Sequence, residues 1–516
     1  SIITFVVYLR TMAPTITWSH AGADGGDLVV AIGTLGIPHP TGYPTFIILG
    51  KLFSFLPIGD LAYRINLMSA SFGAITIGLI YLTILHIHAR LEQRNIPDNI
   101  PPLITAAIAS LSLGFAPIFW SQSLIAEVYI PTALFAAVIL LLMAKWRRTL
   151  LETNRFRPPH CLAGIGFVLG VGLGLHVTLV LLGPFLLYLL IRDRNTITTR
   201  GGLIGATLFL LGLGVYLYLP WRAAANPPIS WVDPSGISGF LWQVTGTPYR
   251  PNVMGLPLQF LPARILAWLG LMLEQFNVFG IVLGIIGWAY LWKKDRALWI
   301  ASLAFFTLNA SYAISYNTTD SHVYLIPGLL IFAITIGLGL NVIANKYLLP
   351  WVSGNRTNGV RKIKLGISAL LLFIVLPGLS VYQNFPEIDI SKDLAAKEYG
   401  EEAFRIAGPG SLILADTDPH IFALWYYSYI AEPNSQVAVI AKPLLQYHWY
   451  RTSVGRSMKN FSPADLPDEY SLALLNLVHY NIDKRDIYLT SQPDPLLTGF
   501  DLQRKGPLFL LKAPGH

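Results

Sequence analysis

Apolar stretches long enough to cross a bilayer recur from the N-terminus to about residue 381, and no other feature constrains the chain as tightly. They lie at roughly 61–87, 103–119, 127–145, 161–178, 180–191, 202–220, 277–292, 297–315, 323–345 and 365–381, with one more ending near Tyr8. About 20 apolar residues in a helix cross the ~30 Å hydrocarbon layer, where every backbone polar group must be satisfied within the chain. The pattern predicts a polytopic α-helical membrane protein with about 11 transmembrane helices. Composition agrees, with 53% hydrophobic and 12% charged residues, where a soluble chain carries about 25% charge. Beyond residue 381 charges and prolines return and apolar runs shorten. The expected division is therefore a transmembrane domain over 1–381 and a soluble C-terminal α/β domain over 382–516.

The apolar stretch from Ile2 to Leu9 is short for a span, since eight helical residues rise only ~12 Å. The first transmembrane helix is expected to begin upstream of this numbering. Cys161 is the single cysteine, so no disulfide framework or thiolate metal site forms within one chain. The net charge of +8 sits in short loops between apolar windows, the pattern of membrane topology rather than of nucleic-acid binding.

The segment from Tyr43 to Leu56 decides the orientation. If it lies along the interface, one side collects Arg90, Arg94, Lys145, Arg147, Arg148, Arg155, Arg157, Arg192, Arg194 and Arg200. The same side also takes Lys293, Lys294, Arg296, Lys346, Arg356, Arg361, Lys362 and Lys364. The other side keeps Arg10, Lys51, Arg64, Arg222, Arg250 and Arg264. Basic loops stay cytoplasmic, and Gly50, Lys51 and Pro57 suit an interfacial helix. The segments 11–60, 120–127, 221–275 and 316–322 and the C-terminal domain then share the extracytoplasmic face, where chemistry is expected.

The first outer loop carries Asp24 and Asp27 around Gly25 and Gly26, then L-G-I-P-H-P-T-G-Y-P with His39 and Tyr43. Asp24 admits two readings: the cap of a short helix from about Gly26 to Leu35, or a general base for an incoming hydroxyl. Asp27 is either a first-turn acid favoured by the helix dipole or part of the same chemistry. The other outer-face candidates are Arg64, Asn66, Glu127, Tyr129, His176, Arg222, Trp231, Asp233, Asp320 and Tyr324. Arg64 and Arg222 sit at helix ends, where snorkelling alone explains an arginine. Glu127 and His176 lie nearer apolar depth, where an unpaired charge is costly. There is no Walker-type loop, dinucleotide fingerprint or clustered metal-ligand spacing.

These motifs resemble a known family. Tyr8 to Thr15, Asp24-Gly25-Gly26-Asp27-Leu28 and Leu35 to Pro44 are similar to its first loop. R-I-N-L-M-S-A at 64–70, F-W-S-Q-S-L-I-A-E-V-Y at 119–129, Tyr218 to Pro220 with Arg222, and W-x-D-P at 231–234 are similar to its later motifs. The resemblance is to the GT-C class of membrane glycosyltransferases, and within it to the family that includes an animal transmembrane protein O-mannosyltransferase. It is firmest over residues 8–250. The chain departs from the family at Asp27, where glutamate is usual, and at Val232, where glycine is usual.

The resemblance implies transfer of a sugar, with inversion, from a polyprenyl-phosphate donor to a protein or glycan acceptor on the outer face of the bacterial cell membrane. Asp24, with Asp27, would be catalytic; Arg64, His176 and Arg222 would hold the donor phosphate. His39, Tyr43, Asn66, Glu127, Tyr129, Trp231, Asp233, Asp320 and Tyr324 would bind substrate. No metal or other cofactor is expected. Membrane lipids and partners in a membrane complex are the remaining expected associations. D-T-D-P-H at 416–420 and the run Trp425, Tyr426, Tyr427 suit either acceptor binding or a packed core. Two other readings stay open at this point: a lipid-linked sugar transporter, and a non-catalytic subunit retaining the fold.

Overall fold

The computed structural model describes residues 1–93, 100–153, 159–231, 236–348, 372–463, 465–491 and 495–514. Among the described residues, six helices are long and apolar enough to cross a membrane: Leu61–Glu92, Tyr129–Thr149, Thr199–Ala224, Leu258–Lys294, Arg296–Ser315 and Ser321–Lys346. Shorter apolar helices occupy Ile2–Thr11, Pro44–Phe53, Pro101–Gly114, His160–Leu173 and Val177–Arg192. The chain is thus a polytopic helical membrane protein. The window at 365–381 is described only from residue 372, where Val375–Ile388 forms a helix.

The ambiguous segment is a ten-residue helix, Pro44–Phe53. It rises ~15 Å, half of what a span needs. It packs on Leu61–Glu92 and on the helix Gly25–Thr34. Leu61–Glu92 starts at Asp60, whose extended backbone lets the carboxylate accept from the Tyr63 N–H at 2.7 Å, the geometry of a helix cap. Residues of Ser321–Lys346 are buried almost throughout, against Leu61–Glu92, the helix over 100–114 and Leu261–Lys294. Leu203, Leu210, Leu211, Val278 and Phe279 instead turn outward. Such a belt fits lipid, which is as apolar as leucine.

One end of the bundle is tied by charge. Arg147 is buried and reaches Asp193 at 3.0 Å and Asp295 at 3.2 Å, and Arg90 reaches Asp295 at 3.3 Å. These ion pairs bring together four helix ends whose loops carry the basic residues. Arg94, Arg155, Arg157, Arg356, Arg361, Lys362 and Lys364 lie outside the described residues.

At the other end sits an α/β unit. Its strands are β1 (Leu412–Ala415), β2 (Ala438–Ala441), β3 (Ile487–Leu489), β4 (Asp501–Lys505) and β5 (Leu508–Lys512), in the order β2-β1-β3-β5-β4. β1 pairs in parallel with both neighbours, with Ile413 opposite Val439 and Tyr488. Its residues L-I-L-A are all buried, as a central parallel strand requires. The antiparallel pair β4–β5 closes one side, and the exposed edge β4 reads D-L-Q-R-K, charges that discourage pairing with another chain.

After β1 the chain enters the helix Asp418–Tyr426, which lies against Gly25–Thr34. Gly26 permits this approach: a Cβ there would fall 2.8 Å from both the Cβ and the carbonyl oxygen of Phe422. Backbone cannot yield as a side-chain tip does, so Gly26→Ala is expected to destabilise the protein by about 1–3 kcal/mol. The check is a thermal-unfolding comparison in one detergent; an unchanged midpoint would show that the two helices separate freely.

Candidate active site

The site is built on a turn and two loops. Ser19–Asp24 forms a tight turn in which His20 and Ala21 take left-handed backbone conformations (φ 58° and 60°). Its shape is held from outside: His20 Nε2 meets the Ile388 carbonyl at 3.0 Å, and the His20 carbonyl accepts from Gln122 Nε2 at 2.8 Å. Asp24 ends the turn with helical backbone angles and makes no side-chain capping bond. A cap needs an extended residue; here the carboxylate is left free of the helix. It is 43% exposed and faces His39, with Nε2 3.7 Å from Oδ2.

Asp27, one turn on, is fully buried. It accepts from the His39 backbone N–H at 2.9 Å, meets His39 Nδ1 at 2.8 Å, and accepts from Trp231 Nε1 at 3.1 Å. Trp231 is delivered by a short parallel bridge in which the Ile37 N–H donates to the Ile229 carbonyl and the Trp231 N–H donates to the Ile37 carbonyl. So Asp27 holds His39, and His39 is placed against Asp24.

Burial alone would lower the His39 pKa, but the carboxylates of Asp24 and Asp27 outweigh it and hold the imidazole at about 9. His39 is therefore a cation at neutral pH. Asp24 opens to the cleft at its tip, but the protein packed around it strips away much of its hydration and raises it; the His39 cation pulls it back, and Asp418, Asp27 and Asp320 push it up again, leaving it at about 6. Glu127, buried in the turn before Tyr129, is pushed well above the usual carboxylate range by burial and then by Asp24. Its Oε2 accepts from the Val128 N–H at 3.3 Å.

A column of rings leads away from His39. Tyr43, held left-handed (φ 40°) with its hydroxyl on the Pro40 carbonyl, lies 5.1 Å from His39 and is stacked on His176 at 6.1 Å. His176 in turn lies 5.6 Å from Tyr129 and 5.7 Å from Tyr324, and those two rings are 5.7 Å apart. Asp320 sits at the turn entering Ser321–Lys346, close enough for its charge to act on Asp24 and Glu127.

The expected phosphate ligands do not converge. Arg64 donates to the carbonyls of Ser54, Ile58 and Gly59 at 2.7, 2.8 and 3.0 Å, shaping the turn before its own helix. Arg222 donates to the Leu35 carbonyl at 2.6 Å and the Thr34 carbonyl at 3.5 Å, closing the C-terminus of Gly25–Thr34, where a cation also meets the helix dipole. His176 is pushed down to about 4 by burial, with the His39 cation adding to the effect. It is neutral, and its Nδ1 is taken by Thr178. Asn66 clamps the loop backbone instead of facing the site, donating to the carbonyls of Ala13 and Thr15, each at 3.0 Å. Asp233 lies outside the described residues.

The α/β unit contributes more than sequence reasoning assigned to it. Phe422 stacks on His39 at 6.4 Å and meets Trp231 at 6.0 Å. Asp418 faces His39, and burial raises its carboxyl. Within the same D-T-D-P-H motif, Asp416 instead pairs with Lys442, and His420 stacks on Tyr399. Trp425, Tyr426 and Tyr427 are buried core, with Trp425 reaching Trp231 at 6.4 Å. Asp418-Pro419 signals a helix start, but no local signal says what that helix packs on.

Residues 24–199 match the family model described as the protein O-mannosyl-transferase TMEM260 N-terminal domain, a segment that opens on Asp24 and holds Asp27, His39, Tyr43, Glu127 and His176. Over 490 residues the chain is 24% identical to the protein O-mannosyl-transferase TMEM260 of Mus musculus, covering 89% of this chain and 64% of that one. Over 530 residues it is 23% identical to the tmem260 protein of Dictyostelium discoideum, covering 94% and 62%. The chain thus spans just under two thirds of the length of these relatives. Over the segment 24–199 it is similar to the TMEM260 family. The fold is similar to that of ArnT from Cupriavidus metallidurans, solved in the apo state and bound to undecaprenyl phosphate, a GT-C membrane protein. The TM-score is 0.57 at 11% identity, with 99% of this chain and 96% of that one covered. The family segment ends before Trp231, Tyr324 and Asp418, so the walls these residues supply come from outside it.

Proposed function

We propose that this chain is a glycosyltransferase that moves a sugar from a polyprenyl-phosphate donor to an acceptor hydroxyl on the extracytoplasmic face, with inversion. The observation that carries the reading is Asp24: an uncapped, accessible carboxylate beside a cation that two bonds to Asp27 lock in place. Asp24 takes the proton of the acceptor hydroxyl, whose oxygen attacks the anomeric carbon as the bond to phosphate breaks. Because inversion puts base and leaving group on opposite faces of the sugar, His39 serves Asp24 rather than the phosphate. With Arg64 and Arg222 engaged elsewhere, the reading assigns the hydroxyls of Tyr129 and Tyr324 as donors to the departing phosphate. It invokes no metal. The names of the relatives, and the lipid bound to ArnT, support sugar transfer and a prenyl-phosphate donor. The test is incubation of the purified protein with polyprenyl-phosphate mannose and acceptor polypeptides, followed by NMR of the product anomer. Retention at the anomeric carbon would overturn the mechanism.

The same reading has about 11 spans, the six long helices being completed by the shorter apolar helices other than Pro44–Phe53 and by the window at 365–381, and a division into 1–381, holding the catalytic loop 9–60, and 382–516. The charge-tied end with Arg90 and Arg147 faces the cytoplasm, following the distribution of lysine and arginine. A cysteine placed in the 145–160 loop is then expected to be protected from an impermeant thiol reagent in intact cells. One placed at Asn434 is expected to be labelled. The reverse pattern would invert both the topology and the site.

A further inference from the structure

Between the α/β unit and the loop after Tyr218–Ala224 lies a groove of about 950 Å³, at the upper end of ligand-site volumes, which run ~300–1,000 Å³. We propose that this groove holds an extended segment of an acceptor polypeptide, with an acidic side chain of that segment on Arg456. The proposal rests on the transferase reading and adds to it the path of the acceptor.

Three features carry it. First, the groove adjoins elements that build the site: Ser230 lines it, and the next residue, Trp231, donates to Asp27. Thr34 lines it too, and closes the ten-residue helix that starts next to Asp24. That helix covers ~15 Å, which an extended chain crosses in roughly five residues at ~3.3 Å each. Second, its chemistry is that of a peptide site. Gln436, Ser453 and other hydroxyl or amide side chains both donate and accept, which matches one N–H and one C=O per peptide residue. Tyr429 and Trp449 add ring surface. No carboxylate is among the described residues lining it, and a glycan, rich in hydroxyl donors, would call for such acceptors. Third, its charge is positive. Arg456 is exposed and has no ion-pair partner among the described residues, whereas neighbouring Arg451 is tied to Asp468 at 2.7 Å.

The experiment uses the detergent-solubilised full chain and fluorescein-labelled unstructured peptides carrying one threonine and one aspartate, at separations of three to eight residues or so. Binding is read by anisotropy without donor, and transfer is read with polyprenyl-phosphate mannose. The expected result is one preferred separation within that range, and a loss of at least about 10-fold in peptide affinity in Arg456→Glu. Replacing the peptide aspartate by lysine is expected to restore binding to that variant. Transfer to a minimal threonine amide, too short to reach the groove, stays as in the unsubstituted protein. Equal binding by Arg456→Glu and the unsubstituted protein, or competition by neutral oligosaccharides stronger than by peptides, would overturn the groove assignment. Arg456-dependent peptide binding without transfer from any donor would overturn the transferase reading and leave the groove standing.

Discussion

Transfer by the Asp24→Asn protein is expected to fall by about 10²-fold or more, with little change in thermal stability. The two halves of this outcome have separate causes. Asparagine keeps the shape of the side chain and removes its basicity, so proton abstraction from the acceptor loses its agent. Stability changes little because Asp24 makes no capping bond for the substitution to break, and its long pairing with His39 is offset by the cost of desolvating its own charge. A radiolabelled-sugar assay beside a thermal melt of the same preparation reads both. Full activity would remove Asp24 from the chemistry; a lowered melting temperature with proportionate loss of activity would make it structural.

The second large effect is a change in pH dependence on replacing His39 by Gln. The reactive form of Asp24 is the carboxylate, so the acid limb of the rate profile follows its pKa, about 6. Of the charged groups facing it, His39 lowers that value, while Asp27, Asp320 and Asp418 raise it. Removing the cation leaves only the raising groups, and the limb moves to higher pH. At pH 6 the loss in kcat/KM is expected to be on the order of 10-fold, shrinking as pH rises to 8. His176 is neutral there, pushed down to about 4, and does not take over the charge. A merely structural histidine would lower the rate equally at every pH, so a parallel profile would refute the assignment. An arginine at the same position, if it folds, is expected to keep the limb near its original place.

Much of the architecture was legible because a bilayer demands long apolar runs, and each described window carries a helix where that demand places one. The short helix Pro44–Phe53 was legible from Gly50, Lys51 and Pro57, which resist a span. The pairing of Asp24 with a histidine was only partly legible. Both residues stand in readable motifs, but the contact depends on Asp27 pulling His39 inward, and on Trp231, some 200 residues further on, reaching the same carboxylate. Arg64 and Arg222 misled for a physical reason: a guanidinium beside a helix end satisfies backbone carbonyls as readily as a phosphate. Phe422, and the docking of Asp418 against His39, were hidden because sheet order and helix docking are long-range facts, while D-T-D-P-H signals only a local helix start.

The contact between Gly26 and Phe422 also sets an order of events. One wall of the pocket is made about 400 residues before the other, an interval of roughly 20–80 s at ~5–20 residues per second. Through that interval the membrane-embedded part can insert and pack, while Asp24 and His39 lack the ring that stacks over them. A ribosome that stalls or terminates before the helix Asp418–Tyr426 has emerged therefore leaves a product that is inserted but open, with His39 hydrated on that side. Synthesis from one end to the other thus acts as a timer, withholding the closed pocket until the helix Asp418–Tyr426 has emerged.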